Sequence, residues 1–194
     1  MALGWLPVVG DAQARAAIHW TRQVLQAEDR HHLVRLPAAL RLQGSILCVH
    51  SAPGDPLLRL RSPAQFQARY AALRESDPAI RLCFTGHTHV PEVVAVDACG
   101  GVTRYAGEGA VRFSGSTFAF INPGSVGHPR DGDWRAAYAL FDCVTRSVAF
   151  RRVTYDRFRL LRENASRGLV PRPRARPLFP DRVTTGPRFA VGPR

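Results

Sequence analysis

Two short apolar runs, Ile46-Leu47-Cys48-Val49 and Ile80 through Thr85, each stop abruptly in polar sequence that carries histidine. The stretch between them has the period of a helix, with Phe66, Tyr70 and Leu73 recurring at i, i+4 and i+7. The first run is continuously apolar, which suits a strand covered on both faces, and the second holds Leu82, Cys83 and Phe84. His50 follows the first run, and Gly86-His87-Thr88-His89 follows the second. In open α/β sheets ligands occupy the crevice beyond the carboxyl ends of the strands. The pattern therefore predicts an α/β fold with its imidazoles gathered at one end of a sheet.

The rest of the chain fills in around that unit. Ala14, Ala17, Ile18, Thr21, Val24 and Leu25 predict an amphipathic helix over 12–26. A second helix is expected over 28–35, burying Leu33 and Leu36 and ended by Pro37. Ser62-Pro63 reads as an N-cap and first helical residue, and Asp77-Pro78 as a stop. From Pro91 onward the sequence is mostly strand: a hairpin of 92–98 with 102–105 around Cys99-Gly100-Gly101, then 117–121, 136–141 and 148–153. Residues 122–133, dense in Gly, Pro and Asp, predict a surface loop shaped by its turn residues. A last helix over 156–167 would use Phe158, Leu161 and Ala165. The implied organisation is a lead-in over 1–11, a domain portion over 12–170, and a Pro- and Arg-rich tail over 171–194, expected to be disordered.

Composition narrows the function classes. No run approaches eighteen apolar residues, and the opening residues lack the basic region and cleavage site of a secretory leader, so membrane insertion and export are not expected and the cytoplasm is the anticipated location. Cys48, Cys83, Cys99 and Cys143 form no C-x-x-C pair and read as buried thiols, arguing against a zinc ribbon or a disulfide scaffold. All 27 basic residues are Arg. Residues 1–150 carry 15 Arg against 12 acids, while 151–194 carry 12 Arg against three acids, a local net charge of +9. That asymmetry supplies an alternative function, a non-catalytic module binding nucleic acid or another polyanion through the tail.

The chemistry concentrates on imidazole. His87 and His89 are separated by one small residue, and a tight turn at Gly86 would swing both rings into a pocket, with the Thr88 hydroxyl placed to orient them. Neutral imidazole is the commonest nitrogen ligand of divalent transition metals, and His50, emerging from a neighbouring strand, can converge on the same point. His128 and Arg130 in the 122–133 loop are candidates for binding a phosphate, the guanidinium through bidentate geometry. Loop exposure for His128, and an ion pair with Asp131 or Asp133 for Arg130, are the competing readings. Asn122 is expected to fix the loop backbone instead of binding metal. His19, His31 and His32 fall on the helical segment and need no ligand role.

Three motifs in order carry a family resemblance: Cys48-Val49-His50-Ser51-Ala52-Pro53; Thr85-Gly86-His87-Thr88-His89-Val90-Pro91; and Asn122-Pro123-Gly124-Ser125-Val126-Gly127 with Pro129-Arg130-Asp131-Gly132-Asp133. Together they resemble the C-terminal motifs of the calcineurin-like metallophosphoesterases, in particular the small bacterial phosphodiesterase-like branch. The resemblance spans about residues 12–170 and implies two β-sheets flanked by helices. It also implies a two-metal phosphate ester hydrolase using manganese, iron, zinc or nickel. His50 and His87 would bind one ion and His89 the other, a metal-activated hydroxide would attack phosphorus, and the substrate would be a phosphodiester or phosphomonoester. Ser51 stands where the family has Gly, adding a Cβ beside the site.

The family's D-x-H, G-D-x-x-D and G-N-H-D motifs, which supply its carboxylates, have no counterpart in these residues. Asp29-Arg30-His31 matches D-x-H only by letters, on a helix, and Gly10-Asp11 is followed by Ala14 where an acid or amide is required. The resemblance thus implies the C-terminal portion of a domain, impaired as an enzyme as written, with strand 46–49 left bare at its edge and uncovered on its faces.

Overall fold

The computed structural model of the chain describes residues 12–114 and 117–169. The lead-in over 1–11 and the Arg-rich tail over 171–194 lie outside the described residues. The elements run α1 (Ala12–Val24), α2 (Ala27–Arg35), β1 (Ala39–Leu42), β2 (Ile46–Val49), α3 (Pro63–Ser76), β3 (Leu82–Phe84), β4 (Pro91–Val96), β5 (Val102–Ala106), β6 (Gly109–Arg112), β7 (Phe118–Pro123), β8 (Ala136–Asp142), β9 (Ser147–Val153) and α4 (Arg157–Ser166). They divide into two compact units, residues 12–37 with 155–169, and residues 38–154.

The first unit is helical. Gln26 and Asp29 close a reciprocal capping box at the start of α2, Arg30 donates twice to the Leu25 carbonyl, and the Arg167 guanidinium lies 5.5 Å from the Trp20 ring centroid. None of the three helices contributes a buried residue. The expected burial of Leu33 and Leu36 is not found: they are 49% and 53% exposed. Six of the nine residues of α2 are acidic, basic or imidazole, which leaves too narrow an apolar stripe to bury. Phe158 is likewise exposed.

The second unit is a layered α/β structure. Its main sheet has the order β1-β2-β3-β7-β4-β5, and a second sheet the order β6-β9-β8. The pairs β2·β3 and β3·β7 are parallel, whereas β7·β4 and β4·β5 are antiparallel. One face of the main sheet is covered by α3, whose Phe66 and Leu73 pack with Cys83, Val94, Val96, Phe118 and Phe120. The other face meets the second sheet, with Ile46, Leu82, Val93, Ala119 and Ile121 against Phe113, Val148 and Phe150. Helix α3 is punctuated as the sequence predicts. Ser62 accepts from Gln65 N–H, Gln65 reaches back to the cap, and Pro63 opens the first turn.

Strand β1 is not foreseen by the sequence reading, and it corrects one expectation. It pairs antiparallel with β2, Leu42 opposite Ile46, through a turn in which Gln43 (φ 46°) and Gly44 (φ 70°) are both left-handed. The edge of β2 is therefore covered, and its side chains pack on both core clusters. The thiols also divide: Cys83 is buried and Cys48 half-buried, but Cys99 and Cys143 sit in exposed turns. No helix among the described residues is long and apolar enough to cross a membrane.

Phe120 lies at the centre of the face covered by α3, touching Phe66 and Phe118 at centroid distances of 5.3 and 4.9 Å. Its truncation to alanine leaves a cavity the neighbouring rings cannot fill. Urea unfolding of Phe120→Ala should show a loss of about 3–5 kcal/mol.

Candidate functional site

The parallel strands β2, β3 and β7 end side by side, and the chain beyond each end builds one cluster. Gly86 N–H donates to the His50 carbonyl across 2.9 Å, and Thr85 N–H to the Ile121 carbonyl across 2.8 Å, fastening the histidine turn to both neighbouring strand ends. A Cβ at position 86 would stand 3.1 Å from the His50 carbonyl oxygen, so glycine serves close approach there. The expected tight turn falls one residue later. His87 (φ 64°) and His89 (φ 62°) are the left-handed residues, a state uncommon for any residue but glycine, and one that persists where the surroundings brace it.

Asn122 is the brace. Its amide donates to the Gly86 carbonyl (2.9 Å) and to Thr88 Oγ1 (2.8 Å), and its carbonyl oxygen accepts from Gly124 N–H (2.9 Å). Fully engaged and buried, it fixes backbone as the sequence reading expected. Thr88 is buried and turned to Asn122, so its hydroxyl is occupied by the amide and not by a neighbouring ring.

The imidazoles meet in two pairs. His50 Nε2 and His87 Nδ1 are 3.2 Å apart with ring centroids at 5.0 Å. His89 Nδ1 donates to the His128 carbonyl at 2.7 Å, and those two rings lie 5.7 Å apart. The 122–133 loop is pinned over the turn by Arg130 N–H to the His89 carbonyl, 3.2 Å. Its far side is held by Arg152 of β9, whose side chain is only 5% exposed and which pairs with Asp131 and donates to the Arg135 carbonyl. Asp133 is engaged by Arg135 and Arg152. Arg59, absent from the sequence-derived candidates, donates from Nε to His87 Nε2 at 3.1 Å. Its signal in the sequence is the Leu58-Arg59-Leu60 alternation just after the His50 motif, which sends Arg59 away from the core that its neighbours enter.

Electrostatically the cluster leans positive. Burial, reinforced by the Arg59 guanidinium and then by His50, Arg130 and His89, lowers the His87 pKa from 6.5 to about 4. Burial also lowers His89, partly offset by its bond to the His128 carbonyl, with Arg130 adding to the depression. Both imidazoles are thus held neutral, the form that binds metal or accepts a proton.

Metal–nitrogen bonds of about 2.0–2.1 Å in tetrahedral geometry separate two ligand nitrogens by about 3.3 Å. The spacing of His50 Nε2 and His87 Nδ1 matches that edge. His89, with Nδ1 committed to a carbonyl, keeps Nε2 in the state typical of a metal-ligating histidine. Among the described residues no three His, Cys, Asp or Glu side chains gather as a metal-holding group. The residues fit one edge of a coordination shell and do not by themselves complete a two-metal centre.

Residues 8–146 match the calcineurin-like phosphoesterase superfamily domain. The chain belongs to that superfamily. It is 30% identical to an uncharacterized protein of Methanocaldococcus jannaschii over 146 residues, 72% of this chain and 55% of that one. A crystallographic metallophosphoesterase from Sphaerobacter thermophilus superposes with a TM-score of 0.63 at 34% identity, covering 84% of this chain and 66% of its own. A hypothetical protein of Pyrococcus horikoshii shares the fold at TM-score 0.60 and 20% identity, covering 82% and 57%. This phosphoesterase-family chain therefore spans between about half and two thirds of the length of these relatives. The two-sheet architecture of these metallophosphoesterase neighbours accords with the sandwich described here, and the superfamily generally uses divalent metal ions.

Two outcomes follow. His87 has a depressed pKa in the folded chain, so the unfolded chain binds more protons between about pH 6.5 and 4. Its contribution to stability is full above that window and is lost as pH falls through it. Urea melts of the chelator-treated chain should weaken over this range, and His87→Gln should flatten the dependence. Asn122→Ala strands two acceptors and a donor in the turn and should cost about 1–3 kcal/mol in the same melts.

Proposed function

We propose that the chain acts in phosphate ester hydrolysis, with His50, His87 and His89 as its imidazole ligands and Arg130 and His128 as its phosphate-facing residues. The observation that carries this reading is the 3.2 Å approach of His50 Nε2 to His87 Nδ1, from two different strand ends, beneath a loop that carries Arg130. A divalent ion bound there would polarise a phosphoryl oxygen and acidify a water.

The chain's own residues do the rest. His87 presents a neutral nitrogen, because burial and the flanking guanidiniums oppose its protonation. Arg130 is held by its backbone bond to His89 while its side-chain charge acts on both His87 and His89, which places a cation beside the imidazoles for an ester anion. Asp131, locked to Arg152, keeps the adjacent stretch of loop from swinging away. Manganese, iron, zinc and nickel all accept this donor type, and both mono- and diesters present the anionic oxygens that Arg130 would meet.

The test is hydrolysis of bis(p-nitrophenyl) phosphate and p-nitrophenyl phosphate by the full chain, with manganese or with chelator. Metal-dependent turnover is expected at a low level, because the described donors do not complete a two-metal centre; it should be abolished by His50→Ala and lowered about 100-fold in kcat/KM by Arg130→Met. Turnover indifferent to His50 would overturn the assignment.

A further inference from the structure

The hydrogen bond from Arg59 to His87 puts a proton where a metal ligand cannot have one. A neutral imidazole carries one N–H and one lone pair. His87 Nε2 accepts from Arg59 Nε–H, so the lone pair is on Nε2 and the proton is on Nδ1. That Nδ1–H points at His50 Nε2, 3.2 Å away, and Arg59, His87 and His50 form a continuous donor chain. For His87 to ligate through Nδ1, the atom that shares an edge with His50 Nε2, the proton must move to Nε2. There it would confront the Arg59 N–H, donor against donor, with a fixed positive charge beside the ion.

Arg59 is not a loose surface residue. Leu60 is buried and Leu58 packs on the same core cluster, fixing the backbone on both sides. Leu57 and Leu58 N–H both donate to Asp55 Oδ1, and Ser51 Oγ donates to the Leu58 carbonyl. Ser51, the residue after His50, thus ties the Arg59 segment to the site directly.

We propose that Arg59 is a positioning residue that holds His87 in the Nδ1–H tautomer and keeps the His50–His87 edge closed to a divalent ion until the guanidinium is drawn away. This rests on the reading that His50 and His87 share an ion, and it adds a residue that opposes loading. Released from His87, the same guanidinium is available to an oxyanion, so metal entry and anion binding would draw on one side chain.

The experiment uses zinc alone, titrated calorimetrically into the full chain, the event at this site being the one His50→Ala removes. Arg59→Met should bind zinc roughly ten-fold or more tightly than the natural chain, the scale on which partners of metal-bound histidines act. Arg59→Lys, which keeps a donor and the charge, should stay near the natural affinity. Imidazole nitrogen NMR of the metal-free natural chain should show His87 protonated at Nδ1, and Arg59→Met should shift it toward Nε2. Equal zinc affinity in the natural chain and Arg59→Met, or an Nε2–H tautomer in the natural chain, overturns the proposal and leaves the metal assignment standing. No zinc event removable by His50→Ala in any variant overturns both. Should Arg59→Met fail to fold, the tautomer in the natural chain decides alone.

Discussion

The parallel pairing of β2 with β3 is the constraint on which the site depends. Cys48 lies opposite Phe84, so the two strands stop at the same level and the residues just beyond them, His50 and Gly86, are forced together and sealed by a backbone hydrogen bond. An antiparallel pair would have sent the two histidine motifs to opposite ends of the sheet. Strand β7, also parallel to β3, delivers Asn122 to the same end. Strand β4 runs the other way and so begins there, at Pro91, just after His89 and Val90, as the chain turns back into the sheet. Four strands contribute, and they bring His50, His87, His89 and Asn122 to one end of the sheet.

Close approach has a conformational cost, and the structure shows where it falls. Gly86 lets β3 close against the His50 carbonyl, but the reversal that follows is taken by His87 and His89 in left-handed backbone. Each such residue costs of order 1–3 kcal/mol and persists only when its surroundings over-determine it. Asn122 bonded to Gly86 and Thr88, and the Arg130 and His128 backbone groups bonded to His89, are those surroundings. The strain sits on two of the three imidazoles proposed as ligands.

The parts of this arrangement that were legible in sequence are those set by local rules. Ser62-Pro63 with Gln65 fixes the start of α3, and apolar runs ending in histidine fix β2, β3 and the shared end of the sheet. Asn122 ahead of Pro-Gly announces a residue that fastens a turn. What escaped notice is what tertiary context decides. Strand β1 has Arg41 in only four residues and exists because Gln43-Gly44 folds it onto β2. Strand β6 is equally short and polar at its end, and it is held by Val111 opposite Val148 in the second sheet. Leu33 and Leu36 keep a helical spacing without acquiring a covering surface. The Leu58-Arg59-Leu60 alternation turns Arg59 away from the core but does not name its partner, because His87 lies 28 residues away and only the folded loop brings them together.

Charge decides how these pieces act together. The described cluster combines four imidazoles with Arg59 and Arg130, and no carboxylate completes a metal-holding group with them. With His87 held neutral, the fixed charge at the site is that of the guanidiniums, which is complementary to an anion before any cation arrives. If Arg59 holds His87 as proposed, a dication placed between His50 and His87 would meet repulsion from Arg59 and a proton on the wrong nitrogen, and both penalties would lessen when an oxyanion takes the guanidinium. On that proposal the same side chain would link the two ligands with one sign: whatever engages Arg59 elsewhere would favour metal at His87, and by linkage the metal would favour the anion to the same degree. In the proposed site three imidazoles come from strand ends and both guanidiniums from loops, so the strands fix where the nitrogen donors meet and the loops fix the charge around them.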